Sequence, residues 1–168
     1  MSGSGFSPAA RPAPPDVGER RRIYLHAGQI AAVREPAAVT TILGSCVAAC
    51  LWDPARGVGG LTHYLLPQWA GRGASSARFG NVALAALLEE LVLLGARRAA
   101  LQAKVFGGAC VLEGLRGTGP HLGERNVELA LSVLAEHRIP VLAKDVGGSR
   151  GRKLVFQTDN GESWIQKL

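Results

Sequence analysis

The sequence predicts a single domain of the α+β class. With 168 residues and 47% hydrophobic content, the chain has the size and composition of one average domain. Short apolar runs separated by Gly, Asp and Pro predict strands near residues 23–26, 38–43, 46–52 and 59–66. Two longer segments with helical spacing of apolar residues follow, so strands come first and helices are added to them.

The second half of the chain alternates helix and strand. The first helix is predicted in RFGNVALAALLEELVLLGARR, closed by Gly95, and a strand in AALQAKVF that ends at a glycine pair. The second helix is predicted in GERNVELALSVLAEH, before Pro140. Three short strands, in PVLAKDVGG, RKLVFQT and ESWIQKL, complete the chain, and the last hairpin is expected to turn at Asn160 and Gly161.

The first residues have a different composition from the rest. Residues 1–20 hold four of the nine prolines and few large apolar groups, which is typical of an unfolded segment. We therefore expect a disordered Pro/Arg-rich leader over residues 1–22 and a folded domain over 23–168. Three cysteines, an odd number, and the absence of a signal-peptide pattern predict a reducing, cytoplasmic location. Every apolar run is interrupted too soon for membrane insertion.

The distribution of charge along the chain indicates which class of partner the protein can bind. The chain carries +6, with basic clusters at residues 20–22 and at Arg150, Arg152 and Lys153. The other charges are mixed with carboxylates, and only 5% of residues are aromatic, so stacking platforms for single-stranded nucleic acid are scarce. Nucleic-acid binding is disfavoured, whereas an acidic protein surface would suit the charge.

A metal site would take Cys46, Cys50 and His63 as ligands, with Cys110 or His121 as a further candidate. If CVAACLW is a strand, its two cysteines share a face but lie about 13 Å apart at roughly 3.3 Å per residue, too far to bind one zinc ion. No second closely spaced Cys/His pair is present. The sequence therefore predicts that the protein has no metal site.

Cys46 and His63 could instead form a catalytic pair. Cys46 follows Gly44 and Ser45, a pair that allows close backbone approach and can leave amides directed at one point. The seventeen-residue step to His63 through DPARGVGG has the length of a hairpin that brings two strands together. The alternative is that all three cysteines and His63 are ordinary interior residues, and the residues alone leave both interpretations open.

A set of motifs in a fixed order decides between these interpretations. LGSC, LWDP, GGLTHYLLP, RFGN, AKVFGGA, GERN and DVGGSRGRKLVF follow one another between residues 43 and 156, within a resemblance that runs from about Ile23 to the C-terminus. This order resembles the chemoreceptor glutamine deamidase family, CheD. The resemblance implies a single-domain three-layer α/β/β sandwich with mixed sheets and two main helices, similar to toxin-type cysteine deamidases. It also implies hydrolysis of glutamine side-chain amides on methyl-accepting chemoreceptors through a cysteine thioester, without metal or organic cofactor.

Matching the family motifs assigns roles to individual residues. The resemblance makes Cys46 the nucleophile, His63 the base and Thr40 the third member of a triad, with Thr41 adjacent. Backbone amides near Gly44 and Ser45 are candidates to stabilise the oxyanion.

Partners and further site residues follow from the same resemblance. Phe106 and Gly107 are candidates to line the substrate. Expected partners are chemoreceptor cytoplasmic domains and a CheC-type phosphatase, with no nucleic acid. The alternative function is a non-catalytic regulatory module that docks on either partner.

Overall fold

The computed structural model describes residues 13–112 and 117–168. Within these ranges the chain forms nine strands, two α-helices and one 3-10 helix. The strands are β1 (Arg21–Tyr24), β2 (Ile30–Val33), β3 (Ala37–Leu43), β4 (Val47–Asp53), β5 (Val58–Thr62), β6 (Gln102–Gly107), β7 (Val141–Val146), β8 (Arg152–Gln157) and β9 (Ser163–Lys167). The helices are α1 (Gly80–Leu93) and α2 (Leu122–Glu136), and the 3-10 turn is Arg98–Ala100.

The strands form two mixed sheets. The first has the order β1-β3-β8-β9, with β1 parallel to β3 and the other neighbours antiparallel. The second has the order β2-β5-β4-β6-β7, with only β6 and β7 parallel. Because β3 belongs to the first sheet and β4 to the second, the chain crosses between sheets at residues 44–46. This crossing carries Cys46.

Two cores separate three layers. One core lies between the helices and the second sheet, and it includes the inward row of α1, Ala83, Leu84, Leu87, Leu88 and Leu91, spaced three or four residues apart. The other lies between the two sheets, where Val39 and Leu43 meet Ala48, Cys50 and Phe106. The order of layers is therefore helices, second sheet, first sheet, and the expected α+β sandwich with two main helices is observed.

The predicted elements match closely in the second half of the chain and less well in the first. Gly95 follows α1 with φ +106°, a conformation that suits glycine at a helix end, and Gly161 turns the last hairpin with φ +76°. The strand expected over 59–66 ends at Thr62, and β2 was not predicted. β2 is four residues long and exists because it pairs with β5 along the sheet edge.

The folded part begins before the predicted boundary at residue 22. β1 starts at Arg21, and Val17 is only 4% exposed because it covers Ala38 and Val155 on the outer face of the first sheet. Arg20 forms a two-point ion pair with Asp159, at 2.7 and 2.8 Å. Residues 1–12 of the predicted leader lie outside the described residues. No helix in the described ranges is long and apolar enough to span a bilayer.

Candidate active site

The turn that carries Cys46 is fixed by backbone hydrogen bonds to the end of β6. The Gly44 carbonyl accepts from the amide of Ala109, and the Cys46 carbonyl accepts from the amide of Gly108, both at 2.9 Å. Within residues 13–112 and 117–168, no backbone acceptor pairs with the amides of Ser45 and Cys46. The turn is therefore held through its carbonyls, while two of its amides stay available.

Gly107 allows this close approach. It has φ +107°, and a Cβ atom at this position would lie 2.2 Å from the Cys46 carbonyl oxygen. Its neighbour Phe106 is 4% exposed in the core between the sheets. The structure thus places the two candidate substrate-lining residues beneath the turn, where they support Cys46 rather than present a free surface.

His63 directly follows β5 on the strand beside Cys46. Val47 and Tyr64 exchange two backbone hydrogen bonds of 3.1 Å, which extends the β4/β5 register by one bridge. In this register Leu65 faces Cys46 and Ala48 faces His63. Cys46 and His63 are therefore diagonal neighbours on one face, positions that are about 7–8 Å apart in a sheet and within reach of a long side chain.

The third residue of the site is Thr41. Its Oγ1 lies 2.7 Å from His63 Nδ1 and 2.7 Å from the Leu25 carbonyl oxygen. Thr40, the residue expected in this role, lies on the opposite face of β3, because side chains alternate along a strand. The Thr40 carbonyl accepts from the Leu25 amide at 2.9 Å. The expected Thr40 contact to His63 is thus made by Thr41 instead.

The hydrogen-bond partners of the Thr41 hydroxyl determine which ring nitrogen of His63 carries the proton. The Leu25 carbonyl can only accept, so the single hydroxyl proton of Thr41 is donated to it. The Thr41 oxygen then accepts a hydrogen bond, and Nδ1 of His63 must carry the proton that is donated. Nε2 is left unprotonated, which is the form a general base needs.

Burial determines the charge states of the pair. It raises the pKa of the Cys46 thiol above its ordinary value of 9.0, an effect that the residue's own amide partly opposes. Burial also lowers the pKa of His63 below 6.5; the Leu25 carbonyl opposes this shift and His26 adds to it. At neutral pH both groups are therefore neutral, and the proton must move when the thiol reacts.

The other candidate ligands of a metal are spread over the fold. Cys50 is fully buried between the sheets, and the Cys110 thiol lies 3.6 Å from the Leu112 carbonyl. His121 caps the start of α2 by accepting from the Glu124 amide at 3.3 Å. Among the described residues, no group of three or more His, Cys, Asp or Glu side chains could hold a metal ion.

A cavity of about 620 Å³ adjoins the Cys46 turn. It reaches from Ser45 to the start of α2, and Val111 and Leu112 on its wall are 52% and 63% exposed. Arg125 is the basic side chain on its described wall. The cavity therefore places exposed apolar side chains beside Ser45, the residue that precedes Cys46.

One residue of the site was not predicted as functional. Asn126, on α2, donates to the carbonyls of both Ser45 and Leu65, at 3.0 and 2.9 Å. Asn126 belongs to the GERN motif, but nothing in the spacing of this motif indicates which backbone groups the side chain contacts. The contact spans 81 and 61 residues of chain.

Comparison with known proteins identifies the family. Residues 65–167 match the sequence model described as CheD chemotactic sensory transduction. The chain belongs to the CheD family. This CheD-family chain is 56% identical over 154 residues to a protein of Anaeromyxobacter dehalogenans named probable chemoreceptor glutamine deamidase CheD 1, covering 92% of this chain and 89% of that protein.

Two further CheD relatives carry the same description without the number. One, from Trichlorobacter lovleyi, is 45% identical over 141 residues, or 84% of this chain and 87% of the relative. The other, from Sulfurimonas denitrificans, is 38% identical over 152 residues, or 89% and 97%. The match to the CheD family model begins at Leu65, after the Cys46 turn and His63, whereas the pairwise matches cover most of the chain.

Proposed function

We propose that this chain is a protein-glutamine deamidase that acts on methyl-accepting chemoreceptors, with Cys46 as nucleophile and His63 as base. The observation that carries the proposal is the hydrogen bond that His63 Nδ1 donates to the Thr41 hydroxyl, with His63 on the same face of the second sheet as Cys46. It leaves Nε2 free to accept the thiol proton. Membership of the CheD family and the names of the relatives support glutamine side chains of chemoreceptors as the substrate.

The first half-reaction forms a thioester. His63 Nε2 takes the proton of the Cys46 thiol, and the sulfur attacks Cδ of the substrate glutamine. The carbonyl oxygen becomes an oxyanion. The backbone amides of Ser45 and Cys46, in the turn that starts at Gly44, donate hydrogen bonds to it. The imidazolium then protonates the leaving nitrogen, the C–N bond breaks, and ammonia departs.

The second half-reaction restores the enzyme. His63 removes a proton from water, and the hydroxide attacks the thioester carbonyl. The C–S bond breaks, Cys46 recovers its proton from the imidazolium, and glutamate is released. Because both groups are neutral at rest, His63 acts as a general base in each half-reaction rather than as the permanent partner of a thiolate. No step uses a metal or an organic cofactor.

The cavity beside the turn supports a docking role at the same place. Its exposed apolar residues Val111 and Leu112 and the basic Arg125 suit an amphipathic, acidic helix. We assign this surface to the chemoreceptor cytoplasmic domain, and a CheC-type phosphatase that competes for it is the second expected partner. Three free cysteines suit the cytoplasm, where both partners are found.

Intact-mass spectrometry of a chemoreceptor cytoplasmic fragment tests the proposed activity. Incubation with the native chain should produce the small mass increase of amide-to-carboxylate conversion, and Cys46→Ala or His63→Ala should reduce its rate more than about 10³-fold. Cys50→Ala is the matched control, because this cysteine lies on β4 but is fully buried in the core. If the fragment binds the native chain and all variants equally and gains no mass, the proposed enzyme is refuted and the regulatory docking module is favoured.

A further inference from the structure

Asn126 joins the two halves of the candidate site. Its Nδ2 atom donates one hydrogen to the carbonyl of Ser45, which precedes Cys46, and the other to the carbonyl of Leu65, two residues after His63. We call this arrangement the Asn126 clamp. A primary amide is the neutral group that can donate two hydrogen bonds from one atom, so the residue type suits the task.

The clamp lies where the strand pairing ends. The Val47–Tyr64 bridge is the last pair of the β4/β5 register, and the next facing positions are Cys46 and Leu65. Beyond this bridge the Cys46 turn leaves for the first sheet. The hydrogen bonds from Gly108 and Ala109 hold the turn to the end of β6, so on the side of His63 the Val47–Tyr64 pair is the last backbone connection before the turn. Asn126 supplies a further connection from outside the sheet.

The clamp is rigid because its own residue is fixed. Asn126 is fully buried on α2, and its backbone carbonyl accepts from the Tyr64 hydroxyl. A rotated amide would place Oδ1 against two carbonyl oxygens, so the observed orientation is the only favourable one. Oδ1 has no partner among the described residues. Burial and the two donated bonds therefore hold the Asn126 side chain in one orientation.

We propose that Asn126 is a positioning residue that sets the distance between the Cys46 thiol and the His63 imidazole; this inference rests on the proposed function. It touches neither the thiol nor the imidazole and acts through the backbone of Ser45 and Leu65. An error of about 1 Å in such a distance can slow a reaction about 100-fold. The cavity assigned to the substrate extends from Ser45 to the start of α2, away from the Cys46–His63 pair, so KM should change less than kcat.

Asn126→Asp tests the inference with little change in shape. The carboxylate has no hydrogen to donate and repels both carbonyls, so kcat should fall by about 10- to 100-fold while KM stays within about 2-fold. Asn81→Asp is the matched control, because Asn81 holds the Trp69 loop through one donated and one accepted bond, at 3.3 and 2.9 Å. Both variants are measured on the chemoreceptor fragment, with urea unfolding and the alkylation rate of Cys46.

The outcomes separate the two proposals. A fall in kcat for Asn126→Asp, at unchanged KM and beyond that of Asn81→Asp, establishes the positioning role. Equal losses in both variants, a change in KM alone or native kcat would overturn it. If Asn126→Asp does not fold, Asn126→Ser, which retains one hydroxyl donor, is measured by the same criteria. Activity retained by Cys46→Ala would refute Cys46 as the nucleophile of the proposed function, independently of the result at Asn126.

Discussion

Replacing Thr41 with valine tests how His63 is held, since the change keeps the shape of the side chain and removes only its hydroxyl. Thr41 is fully buried, and its oxygen makes both the bond to His63 Nδ1 and the bond to the Leu25 carbonyl. Each such bond contributes about 1 kcal/mol net, and a buried group left without a partner costs about 1–3 kcal/mol. Thr41→Val should therefore lower the free energy of unfolding by roughly 1–3 kcal/mol.

The effect on catalysis follows from the tautomer. Without the Thr41 oxygen, Nδ1–H loses the acceptor that lies 2.7 Å away, and the ring can rotate or move its proton to Nε2. If returning the ring to the orientation and tautomer with an unprotonated Nε2 costs about 1.4–2.8 kcal/mol, kcat/KM should be 10- to 100-fold lower. The assay is the initial rate of mass increase in a chemoreceptor fragment, measured at a temperature where urea unfolding shows that the variant is folded.

The adjacent residue provides the control. Thr40 is on the same strand and has the same side chain, but it faces outward, so Thr40→Val should change stability by less than about 0.5 kcal/mol and leave the rate nearly native. A greater loss of rate in Thr40→Val than in Thr41→Val would refute our assignment of the third residue and restore the one inferred from family resemblance. Native activity in a fully stable Thr41→Val variant would refute any role for this hydroxyl in orienting His63.

Three further predictions concern packing, pH and the start of the fold. Gly107→Ala should lower the free energy of unfolding in urea by at least about 2 kcal/mol, because the added Cβ would meet the Cys46 carbonyl and the residue has a positive φ. Gly44→Ala is the control and should cost less than about 1 kcal/mol, because the nearest atom to its added Cβ is on Val111, 3.7 Å away. Because burial lowers the pKa of His63, the acid limb of the kcat/KM profile should lie below pH 6.5. Because burial raises the pKa of the Cys46 thiol, the rate at which Cys46 is alkylated should still rise at pH 9. An acid limb above pH 6.5, or an alkylation rate that is flat from pH 6 to 9, would instead indicate a thiolate–imidazolium pair. Val17→Ala should lower the free energy of unfolding by about 1–2 kcal/mol, and no change would show that the segment before β1 is not part of the fold.

The helices and the later strands could be predicted because their signals are local. Apolar spacing and the glycine that follows define α1, and the bounds of α2 lie within one residue of the GERNVELALSVLAEH segment. β2 escaped prediction because four residues carry too little pattern, and its pairing with β5 depends on the rest of the sheet. Val17 escaped because its burial comes from strands far along the chain.

The sequence by itself determined two candidate residues, a cysteine after Gly-Ser and a histidine one hairpin later, because both are visible from residue type and spacing. Their roles as nucleophile and base are what the resemblance of the motifs to the CheD family implies. Only the tertiary structure decided between Thr40 and Thr41. The two differ by one position on a strand, and the direction of each is set by which face of β3 meets the second sheet. The Asn126 clamp likewise depends on the packing of α2 against the sheet, since it joins residues 61 and 81 positions away. Residue type specifies the chemistry available, whereas the facing and packing of the elements determine which groups can meet.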